Sequence, residues 1–511
     1  MDWVARWAAE KPDHPALLSP TGTITYAELH SRAQRLATGL RSAGLRKGDR
    51  IAAQLPNSVE FVTAYVASGY AGCVFQTIHM PYRAAEIAPL LAHAKSAAFL
   101  ALSRAKDFEP CAFALGARDQ LPDLKLVAAV GEPTPEGAVA YADLAAADAD
   151  RPPRPDPADP YVLLYTSGTT SAPKGVMVSY RNFLPNAARS APELGIDGAS
   201  VLLCAAPFTH LYGTFSINLA LATGATMALL PVYTPPALAE ALAAYRPTHL
   251  FSAPAHMAAA EANGLLTPDL LSSLKLLQIS GTACPTALAR TVQERLPNGK
   301  VGQLWGMSEL QAGAFSRPDD PLQARLSSAG RASPGTELRV VEGGVPCPAD
   351  IEGELQVRGP SLFSGYLDNA AASADAFTED GWFRTGDLAV MDADGYIRIT
   401  GRSKDVINRG GVKFNPADVE DLLSGHPALA QCAIVPVPDD TLGERACLVA
   451  IVRPGAEPPT LDDLRGFLTE AGVSKTKWPE RLAFVDEMPM TPTRKVKKAE
   501  LAKLMRERAP A

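Results

Sequence analysis

Apolar side chains recur at Leu29, Ala33, Leu36 and Leu40, the spacing of one helical face, and Thr25 with Glu28 three residues on supplies a capping box ahead of them. Gly44 stops that helix. The apolar run Ile51 to Leu55 predicts a strand, Asn57 caps a second helix that begins near Glu60 and runs towards Gly69, and Gly72 to Thr77 returns to strand. Strand and helix alternate, so a parallel sheet is expected. Residues 131–160, dominated by Ala, Pro and Asp, predict an exposed connection into the strand that opens at Tyr161. From Glu337 the texture changes to short strands with turn signals: ELRVV, GELQVRG, and GYIRIT entered through Asp392, Ala393, Asp394 and Gly395. This predicts a smaller β-rich subdomain. The charged segment GRSKDVINRGG breaks the strand pattern after Gly401, and a helix follows with Asn415 as cap, Pro416 in its first turn and its end at Gly425. Strands at Cys432 to Val437, Ala446 to Val452 and Arg481 to Val485, with a helix capped by Thr460, predict a compact α+β tail.

The expected class is therefore α/β. A large N-terminal domain, 1–401, carries parallel-rich sheets and the β-rich subdomain; a small α+β C-terminal domain, 402–511, follows. No internal repeat is apparent. A chain of 511 residues exceeds what one hydrophobic core organises, and 47% apolar content is ample for two domains.

Charge and composition narrow the function classes. A net charge of −7 argues against a nucleic-acid partner, and the one basic cluster, Arg494 to Lys498, lies near the C-terminus. Seven cysteines (73, 111, 204, 284, 347, 432 and 447) form no CxxC pair or regular framework, which suits a reducing cytoplasm and buried thiols. Eight histidines show no HExxH spacing, so zinc finds no support. The N-terminus lacks a basic region followed by an apolar core and is not read as a signal peptide. Two long stretches carry no charged residue, Phe61 to Tyr82 and Gly198 to Ala239. Gly69 and Gly72 interrupt the first; Pro207, Gly213, Gly224 and Pro231 interrupt the second. Neither holds the run of about 20 apolar residues a membrane span needs, so buried helices and strands are expected.

The candidate chemistry begins at YVLLYTSGTTSAPKGV, Tyr161 to Val176. An apolar strand runs into Thr166, Ser167, Gly168, Thr169, Thr170, Ser171 and Ala172, closed by Pro173, Lys174 and Gly175. Converging backbone N–H groups, hydroxyls and a lysine can grip a phosphate. Lys174 is followed by Gly175 and Val176, not by Ser or Thr and a helix, so this is not a Walker-type ATPase loop. Taken alone, the segment also fits a hydroxyl-rich surface turn.

The loop resembles the signature of the adenylate-forming enzymes: acyl-CoA synthetases, free-standing adenylation domains and luciferases. Ser171 stands where that family usually has glycine. Further segments match the family pattern in chain order, so the resemblance covers nearly the whole chain. WGMSE, Trp305 to Glu309, resembles the segment in which an aromatic flanks adenine, a hydroxyl meets the α-phosphate and a glutamate holds magnesium. The resemblance implies those roles for Trp305, Ser308 and Glu309, with Gly306 and Met307 in the same nucleotide-binding stretch. One protein carboxylate plus phosphate oxygens is typical for magnesium. SGTACP, Ser280 to Pro285, is similar to the loop lining adenine and the acyl pocket, which implicates Gly281, Thr282 and Ala283; Thr282 replaces the usual glycine. Asp387 in GWFRTGD and Arg402 in GRSKD match the ribose contacts. Lys404 occupies the hinge about which the C-terminal domain swings, and Gly410 and Gly411 match the passage of the pantetheine arm. Lys495 in PMTPTRKVKK matches the catalytic lysine, with Arg494 where glycine is usual. Two anions meet in the adenylation step, and a mobile cation bridging them is what that transition state needs.

PFTHLYG, Pro207 to Gly213, resembles the segment that forms the acyl pocket and its gate, with His210 and Tyr212 as candidates. Gly213, Gly281, Gly306 and Ala312 are expected to leave room for a ring or a medium aliphatic chain. Amino-acid-activating relatives place an aspartate here to pair with the α-ammonium, and this run has no acid. Dihydroxybenzoate ligases tend to carry Asn after the histidine, where Leu211 stands. The resemblance implies an ATP-dependent carboxylic acid–CoA ligase for an apolar acid, cyclic, aromatic or medium-chain, using ATP, coenzyme A and Mg2+. Alternatives are a free-standing adenylation enzyme loading a carrier-protein phosphopantetheine and a non-catalytic nucleotide-binding protein. Catalytic roles fall to Lys495, Glu309 and Lys174.

Overall fold

The computed structural model of the chain describes residues 2–148, 155–166, 174–409, 412–439, 441–491 and 495–508. These build four sheets. In the nine-stranded sheet, Lys300–Met307, Leu276–Ile279, His249–Ser252, Val201–Cys204, Thr226–Ala228 and Pro15–Ser19 run parallel, and both edges are antiparallel. The seven-stranded sheet is parallel through Arg50–Gln54, Val74–Thr77 and Pro160–Tyr165, then closes with the antiparallel strand Gly175–Ser179.

Two helices from the uncharged stretches, Val59–Ala71 and Leu211–Thr223, share one core with elements of both sheets. Each is apolar on all sides because each is covered on all sides. Tyr65 OH donates to Asn218 Oδ1 at 2.8 Å between them. Among the described residues no helix is long and apolar enough to cross a membrane.

A five-stranded antiparallel sheet follows, containing Glu337–Glu342, Gly353–Arg358, Phe383–Met391 and Ile397–Arg402. The fourth sheet starts at Ile407–Arg409 and is dominated by the hairpin Leu429–Asp439 with Gly443–Val452, which Arg481–Phe484 joins in parallel. It has its own apolar clusters.

Several local expectations shift. Ser58, not Asn57, caps the second helix, accepting from the Phe61 N–H. Asn57 instead ties down 206–208, donating to the Ala206 carbonyl at 3.0 Å and accepting from the Phe208 N–H at 2.6 Å. That helix continues past Gly69 to Ala71 and ends on Gly72 at φ +71°. Thr25 caps its helix, but Glu28 turns to Arg32 rather than back to the cap. The connection before Tyr161 holds a short strand, Val139–Ala140, and a helical turn, Tyr141–Leu144. Strand resumes within the charged segment, at Ile407–Arg409. The helix after it is Ala417–Ser424, with Pro416 at the cap and Asn415 Oδ1 accepting from the Ala417 N–H at 3.2 Å.

Candidate active site

The strands Pro160–Tyr165 and Gly175–Ser179 form a hairpin whose register pairs Tyr165 with Gly175. The Thr166 N–H donates to the Lys174 carbonyl at 3.1 Å, which extends the pairing of the two strands by one residue on each. Ser167, Gly168, Thr169, Thr170 and Ser171 lie outside the described residues. Lys174 Nζ sits 4.7 Å from the centroid of the Tyr366 ring.

The strands Lys300–Met307 and Gln311–Phe315 form a second hairpin with Met307 opposite Gln311. Ser308, Glu309 and Leu310 are its turn, and Gln311 takes φ +65° to close it. Glu309 is 5% exposed. Its Oε1 accepts from Tyr366 OH at 2.9 Å, and its carbonyl accepts from the Phe363 N–H at 2.7 Å. Burial raises the Glu309 carboxyl above the ordinary range, while its own backbone N–H and the Tyr366 hydroxyl oppose that rise.

Asp387 joins Trp305 to Arg402. Trp305 Nε1–H donates to its Oδ2 at 2.8 Å and Arg402 Nε–H to its Oδ1 at 2.8 Å. Trp305, Asp387 and Arg402 are thus one hydrogen-bonded group. The Trp305 ring also fills the space over Gly313, where an added Cβ would come within 2.4 Å of Cζ3.

Lys495 comes from the C-terminal sheet's side. Its N–H donates to Thr491 Oγ1 at 3.0 Å and its carbonyl accepts from the Thr491 N–H at 2.8 Å. Arg494 lies outside the described residues. Burial holds the Lys495 ammonium below the ordinary lysine value, the nearby Arg402 and Lys404 charges add to that, and Asp387 and Glu309 oppose it. All four charges act on Lys495, so the C-terminal lysine lies within electrostatic reach of Glu309 and Asp387. Lys404 lies in the single 3-10 turn Ser403–Asp405 between the two sheets. Gly410 and Gly411 lie outside the described residues.

His210 is the N-cap of Leu211–Thr223, its Nδ1 accepting from the Tyr212 N–H at 3.3 Å. A neutral ring bonded this way carries its proton on Nε2. Burial, then the Lys495 charge and His79, push its pKa down to about 3. His79 lies across from it with ring centroids 6.5 Å apart, and its Nδ1 pairs with Thr209 Oγ1 at 2.9 Å. Tyr212 is buried, with its hydroxyl donating to the Gln278 carbonyl at 2.7 Å.

The room expected at the small residues is distributed differently. A Cβ on Gly213 would meet the Pro207 carbonyl at 2.3 Å, and one on Gly306 the Gln311 carbonyl at 1.9 Å. Both glycines admit backbone, not ligand. Ala312 is 1% exposed and its carbonyl accepts from Asn186 Nδ2 and Ser333 Oγ. Gly281, at φ +102°, does face open space, with Ala253 Cβ the nearest atom at 4.0 Å. Thr282 and Ala283 beside it are exposed. Sequence reasoning missed Tyr366 and His79. No periodicity marks either, since Tyr366 follows the last alternating strand residue, Arg358, by eight positions of irregular chain.

Among the described residues no group of three or more His, Cys, Asp or Glu side chains gathers to hold a metal. A single buried carboxylate, Glu309, with one oxygen held by a phenol, fits a hard cation whose other ligands are phosphate oxygens and water.

A family model described as AMP-binding enzyme matches residues 4–367, and one described as AMP-binding enzyme C-terminal domain matches residues 418–495. The chain is 32% identical over 515 residues to a medium-chain fatty-acid–CoA ligase of Escherichia coli, covering 98% of this chain and 89% of that one. It is 33% identical over 504 residues to a salicyl-AMP ligase / salicyl-S-ArCP synthetase of Mycobacterium tuberculosis, covering 97% and 86%. Among solved structures, ATP-bound MatB from Rhodopseudomonas palustris superposes with a TM-score of 0.87 at 28% identity over 99% of both chains.

Proposed function

The chain belongs to the AMP-binding enzyme family, and on that premise we propose that it is an AMP-forming acid–thiol ligase acting on an apolar carboxylic acid. In the first step a carboxylate oxygen attacks the α-phosphorus of ATP and the bond to pyrophosphate breaks. In the second, the thiolate of coenzyme A attacks the acyl carbon and AMP leaves. The observation that supports this reading is that Lys495, a buried lysine beyond the C-terminal sheet, feels the charges of Glu309 and Asp387.

Lys495 supplies the point charge between two anions as they meet. Asp387, fixed by Trp305 and Arg402, accepts from the ribose hydroxyls. Lys174 and the hydroxyls of Thr166, Ser167, Thr169 and Thr170 hold the phosphates that depart. Glu309 would hold magnesium, which when bound neutralises phosphate charge. His210 presents Nε2–H as a neutral donor beside the acid, and Tyr212, held by Gln278, walls the pocket. The open space at Gly281 and the lack of Asp or Glu in the run Gly198 to Ala239 favour an aromatic, cyclic or medium-chain acid. The C-terminal domain, 402–511, turns about Lys404 between the steps, with Gly410 and Gly411 beside the pantetheine arm. The enzyme works in the cytoplasm, consistent with seven free cysteines.

ATP–pyrophosphate exchange driven by a panel of apolar acids tests the first step, and no exchange with any acid would sink the reading. The carrier-protein similarity keeps one alternative acceptor in view. Thioester formation with free coenzyme A, faster than with a holo-carrier, is the expected result.

A further inference from the structure

Tyr366 links the two groups that handle the triphosphate. Its backbone bridges Val176, and the next N–H, of Leu367, donates to the Gly175 carbonyl at 2.8 Å, so the residue is sewn to the strand that leaves Lys174. Its ring face carries the Lys174 ammonium at 4.7 Å, a cation–π contact. At the ring's far end the hydroxyl donates to Glu309 Oε1 at 2.9 Å. The Phe363 N–H holds the Glu309 carbonyl, so the 363–366 segment grips both the backbone and the side chain of the turn that presents the carboxylate.

We infer that Tyr366 is a positioning residue that fixes Glu309 for magnesium and registers it against Lys174, so that the metal and the lysine meet the same triphosphate. The inference rests on the reading of Glu309 as the magnesium carboxylate. A phenol donates one hydrogen bond, which occupies one carboxylate oxygen and leaves the other for a hard cation. The held carboxylate has one orientation, and the metal does not have to order it on binding. Phe363, Phe377 and Phe383 pack around the same segment, so the ring alone has a stabilising role. The hydroxyl is the part that packing does not explain.

The test is calorimetric titration of the whole protein with ATP in excess Mg2+, with ATP in EDTA, and with AMP. In the wild type, Mg2+ should tighten ATP binding. Tyr366→Phe keeps the ring and the Lys174 contact and removes the hydroxyl. The Mg2+ enhancement should fall about tenfold or more, the scale of a lost hydrogen bond to a charged group. Affinities for AMP and for metal-free ATP should stay within about twofold, as a ring that merely packs would leave all three together. In a Glu309→Gln background the same change should add less than about twofold, because the phenol acts through that carboxylate. An undiminished Mg2+ enhancement in Tyr366→Phe, or equal losses in both backgrounds, overturns the inference. A wild type whose ATP affinity ignores Mg2+ overturns the reading of Glu309 as well.

Discussion

Replacing Gly401 by alanine should slow one half-reaction and spare the other. Gly401 lies at φ +152° where the antiparallel subdomain meets the C-terminal sheet, and an added Cβ would stand 1.8 Å from Asn415 Nδ2 and 2.2 Å from its Oδ1. Asn415 is 7% exposed and cannot step aside without releasing the Ala417 N–H that it caps. The backbone cost of a side chain at that φ falls on any arrangement that keeps the turn. The encounter with Asn415 falls on this one alone. A displaced cap and a disturbed buried amide together cost about 1–3 kcal/mol. That shifts the balance away from this arrangement about 5- to 150-fold. With Lys495 in its proposed role, an arrangement that sets it within electrostatic reach of Glu309 and Asp387 is the one suited to making the adenylate. Acid-dependent pyrophosphate exchange should fall by that factor, while thioester formation from preformed acyl-adenylate and coenzyme A stays within about twofold. Equal slowing of both steps, or undiminished exchange, would refute the reasoning.

Asp387→Asn sets an amide N–H against either the Trp305 or the Arg402 donor and removes the charge both donors serve. AMP binding should weaken about 10- to 150-fold by calorimetry; an unchanged affinity contradicts the ribose role. His210, held down to about 3 by burial, Lys495 and His79, stays neutral at working pH, so kcat/KM should show no limb near the ordinary imidazole value of 6.5. Lys495 moves the other boundary. Burial first, then Arg402, lowers its pKa, so the needed charge is lost on raising the pH before an ordinary lysine would lose it. The alkaline limb should lie below the usual lysine value in kcat/KM and at higher pH in kcat, where bound phosphate restores the proton. Limbs in the opposite order would count against Lys495 as the acting cation.

Much of this site was legible because its chemistry is written in short contiguous segments. WGMSE reads as a strand entering a polar turn, and the structure makes it the hairpin that holds Glu309 at its tip. The uncharged stretches read as buried helices because no face of either is polar, which is what a helix shared by two sheets requires. What escaped depends on close approaches that no residue pattern announces. Gly213 and Gly306 look like room for a ligand in sequence, yet each admits a nearby backbone carbonyl, that of Pro207 for the first and that of Gln311 across the hairpin for the second. Asn57 and Ser58 are both good caps, and the choice went to Ser58 because 206–208 claims Asn57. Tyr366 acquires its role from a turn 57 residues earlier in the chain, which no local pattern announces.

The central claim is that Lys495 acts where the acyl–phosphate bond is made. Lys495→Ala, assayed for acid-dependent pyrophosphate exchange beside thioester formation from preformed acyl-adenylate, tests it most directly. The account predicts a fall in exchange of about 10²–10³, the scale of one lost electrostatic contact to a transition state, with thioester formation continuing. Exchange at the full rate with thioester formation abolished would contradict it.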